Sequence, residues 1–123
     1  TDLNINKVLE FHKKHGKMVT VTGVRPPARF GELTINEENE VLEFKEKPNT
    51  HAGWINGGFF VMEPEFLNYI DGDTTILEKS PLETIAKENE LLAFLHDGFW
   101  HCIDTKRDKD NLEAIVNSGN KIW

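Results

Sequence analysis

The chain has 123 residues, enough for one domain with a core of its own and no covalent staples. Asp and Glu number 21 against 14 Lys and Arg, a formal net charge of −7, which excludes non-specific binding to nucleic acid because that needs a basic face. No apolar run approaches a membrane span, no secretory leader pattern opens the chain, and the single cysteine, Cys102, has no partner for an internal disulfide, so a cytoplasmic location is expected.

Asp2, as N-cap, opens the first predicted helix. Its apolar stripe runs through Ile5, Val8, Leu9 and Phe11 or His12 and stops at Gly16. His12 and His15 are three apart, but with no further ligands in register they read as surface or capping residues. Met18 to Val24 is short and rich in β-branched residues, the pattern of a buried strand. A helix feeding such a strand is the second half of a βαβ unit, whose natural partner is an earlier parallel strand that would have to precede Thr1. Arg25-Pro26-Pro27-Ala28-Arg29 is a stiff connector carrying two guanidinium groups. Phe30 to Ile35 and Val41 to Phe44, on either side of the polar turn Asn36-Glu37-Glu38-Asn39, predict a hairpin.

Ile55 to Met62 is a mostly apolar strand, which implies burial on both faces. Pro64 opens a short helix carrying Phe66, Leu67 and Ile70. Asp73 or Thr74 caps a second helical stretch with Ile76 and Leu77 inward, and Pro81 restarts the pattern with Leu82, Ile85 and Ala86 on one side. Leu91 to Leu95 is a strand, and Phe99 to Ile103 a further short one ending on Asp104. The last helix begins near Arg107 or Asp108, carries Leu112, Ile115 and Val116, and stops at Gly119. His101 and Cys102, with Asp104, suggest a thiol nucleophile or a zinc site. Neighbours in a strand face opposite ways, which argues against both.

The stretch from Glu46 to Val61 organises the rest. A strand pattern, Val41 to Lys47, ends at Pro48; a polar loop follows, then Gly53-Trp54-Ile55-Asn56-Gly57-Gly58-Phe59-Phe60-Val61. Lys47 offers a point charge suited to phosphate, and Asn56 can both donate and accept, as a sugar hydroxyl requires. Trp54 is suited to cover an apolar sugar face. A plainer reading stands beside this one: a hairpin and loop in which Gly57-Gly58 marks a bulge and Trp54 is core. Asp104 likewise has two readings, a ligand-binding carboxylate at a strand end or the cap of the following helix.

Glu46-Lys47-Pro48 followed by Trp54-Ile55-Asn56-Gly57-Gly58-Phe59-Phe60-Val61 resembles the sugar-phosphate-binding half of the sugar-1-phosphate nucleotidyltransferases. Arg25-Pro26-Pro27-Ala28-Arg29-Phe30-Gly31-Glu32-Leu33 and Gly98-Phe99-Trp100-His101-Cys102-Ile103-Asp104-Thr105-Lys106-Arg107-Asp108 are similar, more narrowly, to the cytidylyl-transferring members. The resemblance covers essentially all of the chain and about half of such an enzyme. It implies an α/β fold, the C-terminal part of a Rossmann-like nucleotidyltransferase with a mixed β-sheet flanked by helices, incomplete without its N-terminal half. Residues 1–123 then form a single domain, the sugar-phosphate and second-metal-aspartate half.

The implied reaction joins CTP and glucose 1-phosphate to give CDP-glucose and pyrophosphate. Lys47 is the implied catalytic residue and holds the sugar phosphate. Glu46, Asn56 and Gly57 contact glucose, Trp54 lines the sugar pocket, and Asp104 binds Mg²⁺ beside a further aspartate upstream. The 25–29 segment lies near the active site and subunit contacts in the family. The family's Gly-rich nucleotide loop and first metal aspartate are absent from these residues, so CTP binding requires the missing half and the chain alone is expected to be inactive. Self-association into a homo-oligomer is expected, since a partial sandwich exposes sheet edges and apolar surface. Two other readings are open: a non-catalytic sugar-phosphate-binding or oligomerisation module, or half of an enzyme making dTDP- or UDP-glucose.

Overall fold

The computed structural model describes residues 1–26, 32–45 and 53–119. Helix α1 spans Ile5–His15. Asn4, not Asp2, caps it: the Asn4 side chain accepts the Lys7 backbone N–H at 3.2 Å. Asp2 instead meets His96, Oδ1 to Nε2 at 2.9 Å. Gly16 closes the helix in the left-handed region at φ 63°, where a side chain would be strained, and its N–H returns to the His12 carbonyl.

Strand β1, Val19–Val24, is the centre of a three-stranded sheet. On one side it pairs antiparallel with β4, Ile55–Met62; on the other it pairs parallel with β5, Leu91–His96. The parallel partner of β1 therefore comes from later in the chain, not from a strand before Thr1. Strands β2, Glu32–Ile35, and β3, Val41–Lys45, form the expected hairpin as a separate two-stranded sheet. Its turn is held by Asn36, whose side-chain oxygen accepts the N–H groups of Glu38 and Glu40 at 3.1 and 2.8 Å.

Alternation along β1 sorts the residues onto two faces. Val19 points to a core built with Phe66, Leu82 and Ile85, against which Met18, Phe60, Met62, Tyr69, Leu77 and Leu91 pack. Phe66 belongs to a 3₁₀ helix, Pro64–Tyr69, and Leu82 and Ile85 to α2, Ser80–Lys87. Each such side chain removed from water contributes about 1.5–3 kcal/mol. Residues 73–79 are turns rather than a helix, and Leu67, Ile76 and Ala86 face solvent. The apolar residues of this stretch fit a helical spacing, but the chain uses it as the connection between the 3₁₀ helix and α2.

Thr20, Thr22 and Phe94 point to the opposite face, against α1. His12 is buried there, not at the surface. The Lys17 N–H donates to His15 Nδ1 at 2.9 Å, so the neutral His15 ring carries its proton on Nε2 and donates it to Thr20 Oγ1 at 2.6 Å. Thr20 then donates to His12 Nδ1 at 2.8 Å, and His12 Nε2–H reaches Glu63 Oε1 at 3.0 Å. Burial lowers the His15 pKa, with the His12 ring and the Lys17 ammonium adding to the shift and Glu90 opposing it. Thr22 Oγ1 is buried with no hydrogen-bond partner among the described residues.

Strand β4 is not buried on both faces. Ile55 and Phe59 are exposed, and of its residues only Gly57 is fully covered. Among the described residues β4 lies at the edge of the sheet, paired with β1. Its register with β1 is broken: Val21 pairs with Phe60 and Gly23 with Asn56, so two steps along β1 answer four along β4. The expected bulge at Gly57-Gly58 is therefore present. No strand forms over residues 99–103 either; residues 97–104 run as a loop into α3, Lys106–Asn117.

Candidate active site

The bulge places the chemistry-bearing residues of β4 at one end of the sheet. That end carries the carboxyl termini of the parallel strands β1 and β5, where open α/β sheets bind ligands. On the face that bears the Val19 core, the lower half is covered by α2 and the 3₁₀ helix, while the upper half is open. Gly23 forms its floor. A methyl group there would lie 3.2 Å from Leu95 Cδ2 and 3.6 Å from Trp54 Cε3. Leu95 is 52% exposed and Trp54 36% exposed, so an apolar shelf faces solvent. Trp54 is thus neither core nor fully open. The Arg25 guanidinium carbon sits 4.5 Å from its ring centroid, a cation–π contact that braces the indole.

Asn56 pairs with Gly23 and shares the shelf's face. Its Oδ1 accepts the Gly58 N–H at 2.8 Å, turning the chain so that Gly58 adopts φ 81°. Gly57 is glycine because β1 lies against it: a methyl group would lie 2.8 Å from Val24 Cγ1 and 3.0 Å from the Thr22 carbonyl oxygen. Its own carbonyl accepts the Trp100 indole N–H at 3.1 Å. In the sequence Trp100 stands only within a longer motif and Arg25 only within a stiff connector. Neither contact has a local signal, since each joins residues far apart in sequence that only the fold brings together.

The remaining anticipated residues distribute as follows. Glu46 and Lys47 lie outside the described residues. Asp104 is exposed in the loop before α3, not at a strand end. It does not cap that helix; Thr105 does, accepting the Asp108 N–H while the Asp108 carboxylate accepts the Thr105 N–H at 3.0 Å. His101 Nδ1 contacts the Cys102 carbonyl oxygen at 2.6 Å. The strand argument against a His101 and Cys102 site fails with the strand, yet among the described residues no group of three or more His, Cys, Asp or Glu is placed to hold a metal ion. Asp104 by itself does not fit Mg²⁺, which takes oxygen ligands in a near-ideal octahedron. Among the described residues, no helix is long and apolar enough to cross a membrane.

A mixed sheet flanked by helices, with an apolar shelf at its strand ends, is an α/β scaffold, and a family model described as Nucleotidyl transferase matches residues 1–113. The chain belongs to that family. It is 47% identical over 122 residues to a glucose-1-phosphate cytidylyltransferase of Salmonella typhi, covering 99% of this chain and 47% of that protein. A probable glucose-1-phosphate cytidylyltransferase of Bacillus subtilis is 36% identical over 123 residues, with 99% and 48% covered. A solved structure of a Bacillus anthracis protein assigned as a glucose-1-phosphate thymidylyltransferase superposes with a TM-score of 0.58 at 16% identity, covering 93% of this chain and 49% of that one; the likeness is one of fold. The chain spans about half the length of the relatives it matches.

Proposed function

We propose that this chain is the sugar-phosphate-binding part of a glucose-1-phosphate cytidylyltransferase, a single functional domain over residues 1–123. The reading rests on the 47% identity to such an enzyme across 99% of the chain. In the proposed reaction an oxygen of the glucose 1-phosphate phosphate attacks the α-phosphorus of CTP in line. A new P–O bond forms as the bond to the departing pyrophosphate breaks, giving CDP-glucose. The protein's task is then to position the reactants and neutralise charge. Lys47 is assigned to the sugar phosphate. Glu46, Asn56 and Gly57 are assigned to glucose hydroxyls, and the Trp54 shelf to the sugar's apolar face. Asp104 is assigned as one Mg²⁺ ligand, which would need further oxygen ligands to complete the ion's octahedron. The nucleotide is bound by residues that these do not include, in the cytoplasm, and the chain alone is inactive.

The test uses the whole natural polypeptide that carries this sequence. With CTP and glucose 1-phosphate it should form CDP-glucose; if it forms none, the reading fails. Lys47→Ala should lower the rate by orders of magnitude while circular dichroism and the melting temperature stay near wild type. A variant that unfolds would make Lys47 a structural residue.

A further inference from the structure

Trp100 joins two parts of the site that are far apart in sequence. Its indole N–H donates to the Gly57 carbonyl at 3.1 Å. That carbonyl belongs to the bulge, where residues 57–59 have no partners in the β1–β4 register. A backbone acceptor left out of a ladder needs another donor, and Trp100 supplies it. The donor sits on the loop 97–104, four residues before Asp104, and that loop has no secondary structure of its own. The acceptor sits between Asn56 and Gly58, whose side-chain-to-backbone bond sets the turn. On the other side a methyl group at Gly57 would collide with Val24 and the Thr22 carbonyl, so the turn lies close along β1.

We infer that Trp100 is a positioning residue for the sugar site: through Gly57 it fixes the Asn56–Gly58 turn against the loop that carries Asp104. The inference rests on the assignment of Asn56 and Gly57 to the sugar. Asn56 is exposed, and its Oδ1 is already committed to the Gly58 N–H, so its amide donor is aimed only as well as the turn is held. Trp100 removes that freedom without touching the ligand.

Trp100→Phe, made in the whole natural polypeptide, keeps the ring and deletes the donor. It should raise KM for glucose 1-phosphate about fivefold, the worth of one neutral hydrogen bond. KM for CTP and the melting temperature should stay near wild type. Trp100→His, which restores a ring N–H, should recover part of the loss. An unchanged KM for the sugar phosphate overturns the inference, as does a rise in both KM values together. Should Trp100→Phe fail to fold, the ¹⁵N-labelled indole N–H of Trp100 in the wild type is the second readout. Slow hydrogen exchange and a shift on titration with glucose 1-phosphate support the inference; fast exchange with no shift overturns it. Failure of the functional reading shows elsewhere, as a wild type that makes no CDP-glucose.

Discussion

Gly57 and Gly58 stand side by side for different reasons. At Gly57 the obstacle is space: Val24 Cγ1 and the Thr22 backbone oxygen occupy the volume a methyl group would take. The oxygen belongs to the central strand and cannot swing aside. At Gly58 nothing lies within 4 Å of an added methyl group, but φ is 81°, which an L side chain tolerates poorly. Gly57→Ala should therefore lower stability by about 1–3 kcal/mol, the usual cost of overpacking. Gly58→Ala should cost about 1 kcal/mol, from backbone strain alone. Urea denaturation measures both; a Gly57→Ala variant as stable as wild type would mean that β1 and β4 separate more easily than their packing suggests. Composition showed two glycines suited to close approach. It could not show that what approaches Gly57 is the protein's own strand, because that depends on pairing between residues more than thirty positions apart.

At the scale of elements, the contact of α1 with β1 carries a pH dependence whose direction follows from the hydrogen bonds. His15 is held neutral: protonating Nδ1 would set a proton against the Lys17 N–H that Nδ1 now accepts. Burial lowers its pKa below the ordinary 6.5, with His12 and Lys17 contributing in the same direction. Above pH 6.5 the ring is neutral in folded and unfolded chains alike, and its stabilising bonds are fully present. As pH falls below 6.5 the unfolded chain takes up a proton that the folded one resists, so stability is lost until the folded pKa is passed. Glu90 adds a second loss at lower pH. The Lys17 ammonium and the Met18 N–H hold its carboxyl below the ordinary 4.5, so its contribution is present above that value and fades as pH drops through the folded pKa. Stability measured by urea denaturation should fall from pH 7 to pH 5, and His15→Gln should flatten that part of the curve. A wild-type curve already flat there would contradict the network. The sequence spacing placed both histidines on α1 but not the depth of His12, since Thr20 and Glu63 reach it from other elements.

Across the whole molecule, one end of the sheet carries the candidate site, and many apolar side chains among the described residues are exposed. The β2–β3 hairpin exposes Leu33, Ile35, Val41, Leu42 and Phe44, each more than half accessible. Helix α3 is amphipathic in sequence yet has no buried residue. Apolar surface of this extent usually marks association. Sedimentation should show a weight-average mass that rises with concentration, and a monomer at every concentration would end that expectation. The elements with strong local signals, α1, β1, the hairpin, α2 and β5, were legible because period and capping residues settle them. The segments at 73–79 and 99–103 were not. Their apolar residues satisfy a helix or strand pattern, but the chain uses them as connections, and only the surrounding packing decides that. Of the candidate site, the sequence singled out Trp54, Asn56 and Gly57, which the sheet brings together, but not their contacts with Arg25 and Trp100.

The bulge in β4 inserts residues in a pair, so Trp54 and Asn56 emerge on the same face as Phe60 and Met62. The count has a genetic consequence. Loss of one codon between Asn56 and Phe60 would turn Trp54 and Asn56 to the α1 side and present Ile55 on the face of the shelf, whereas loss of two would shorten the turn and keep the facing. Length variation at this point of the gene is therefore constrained to even steps.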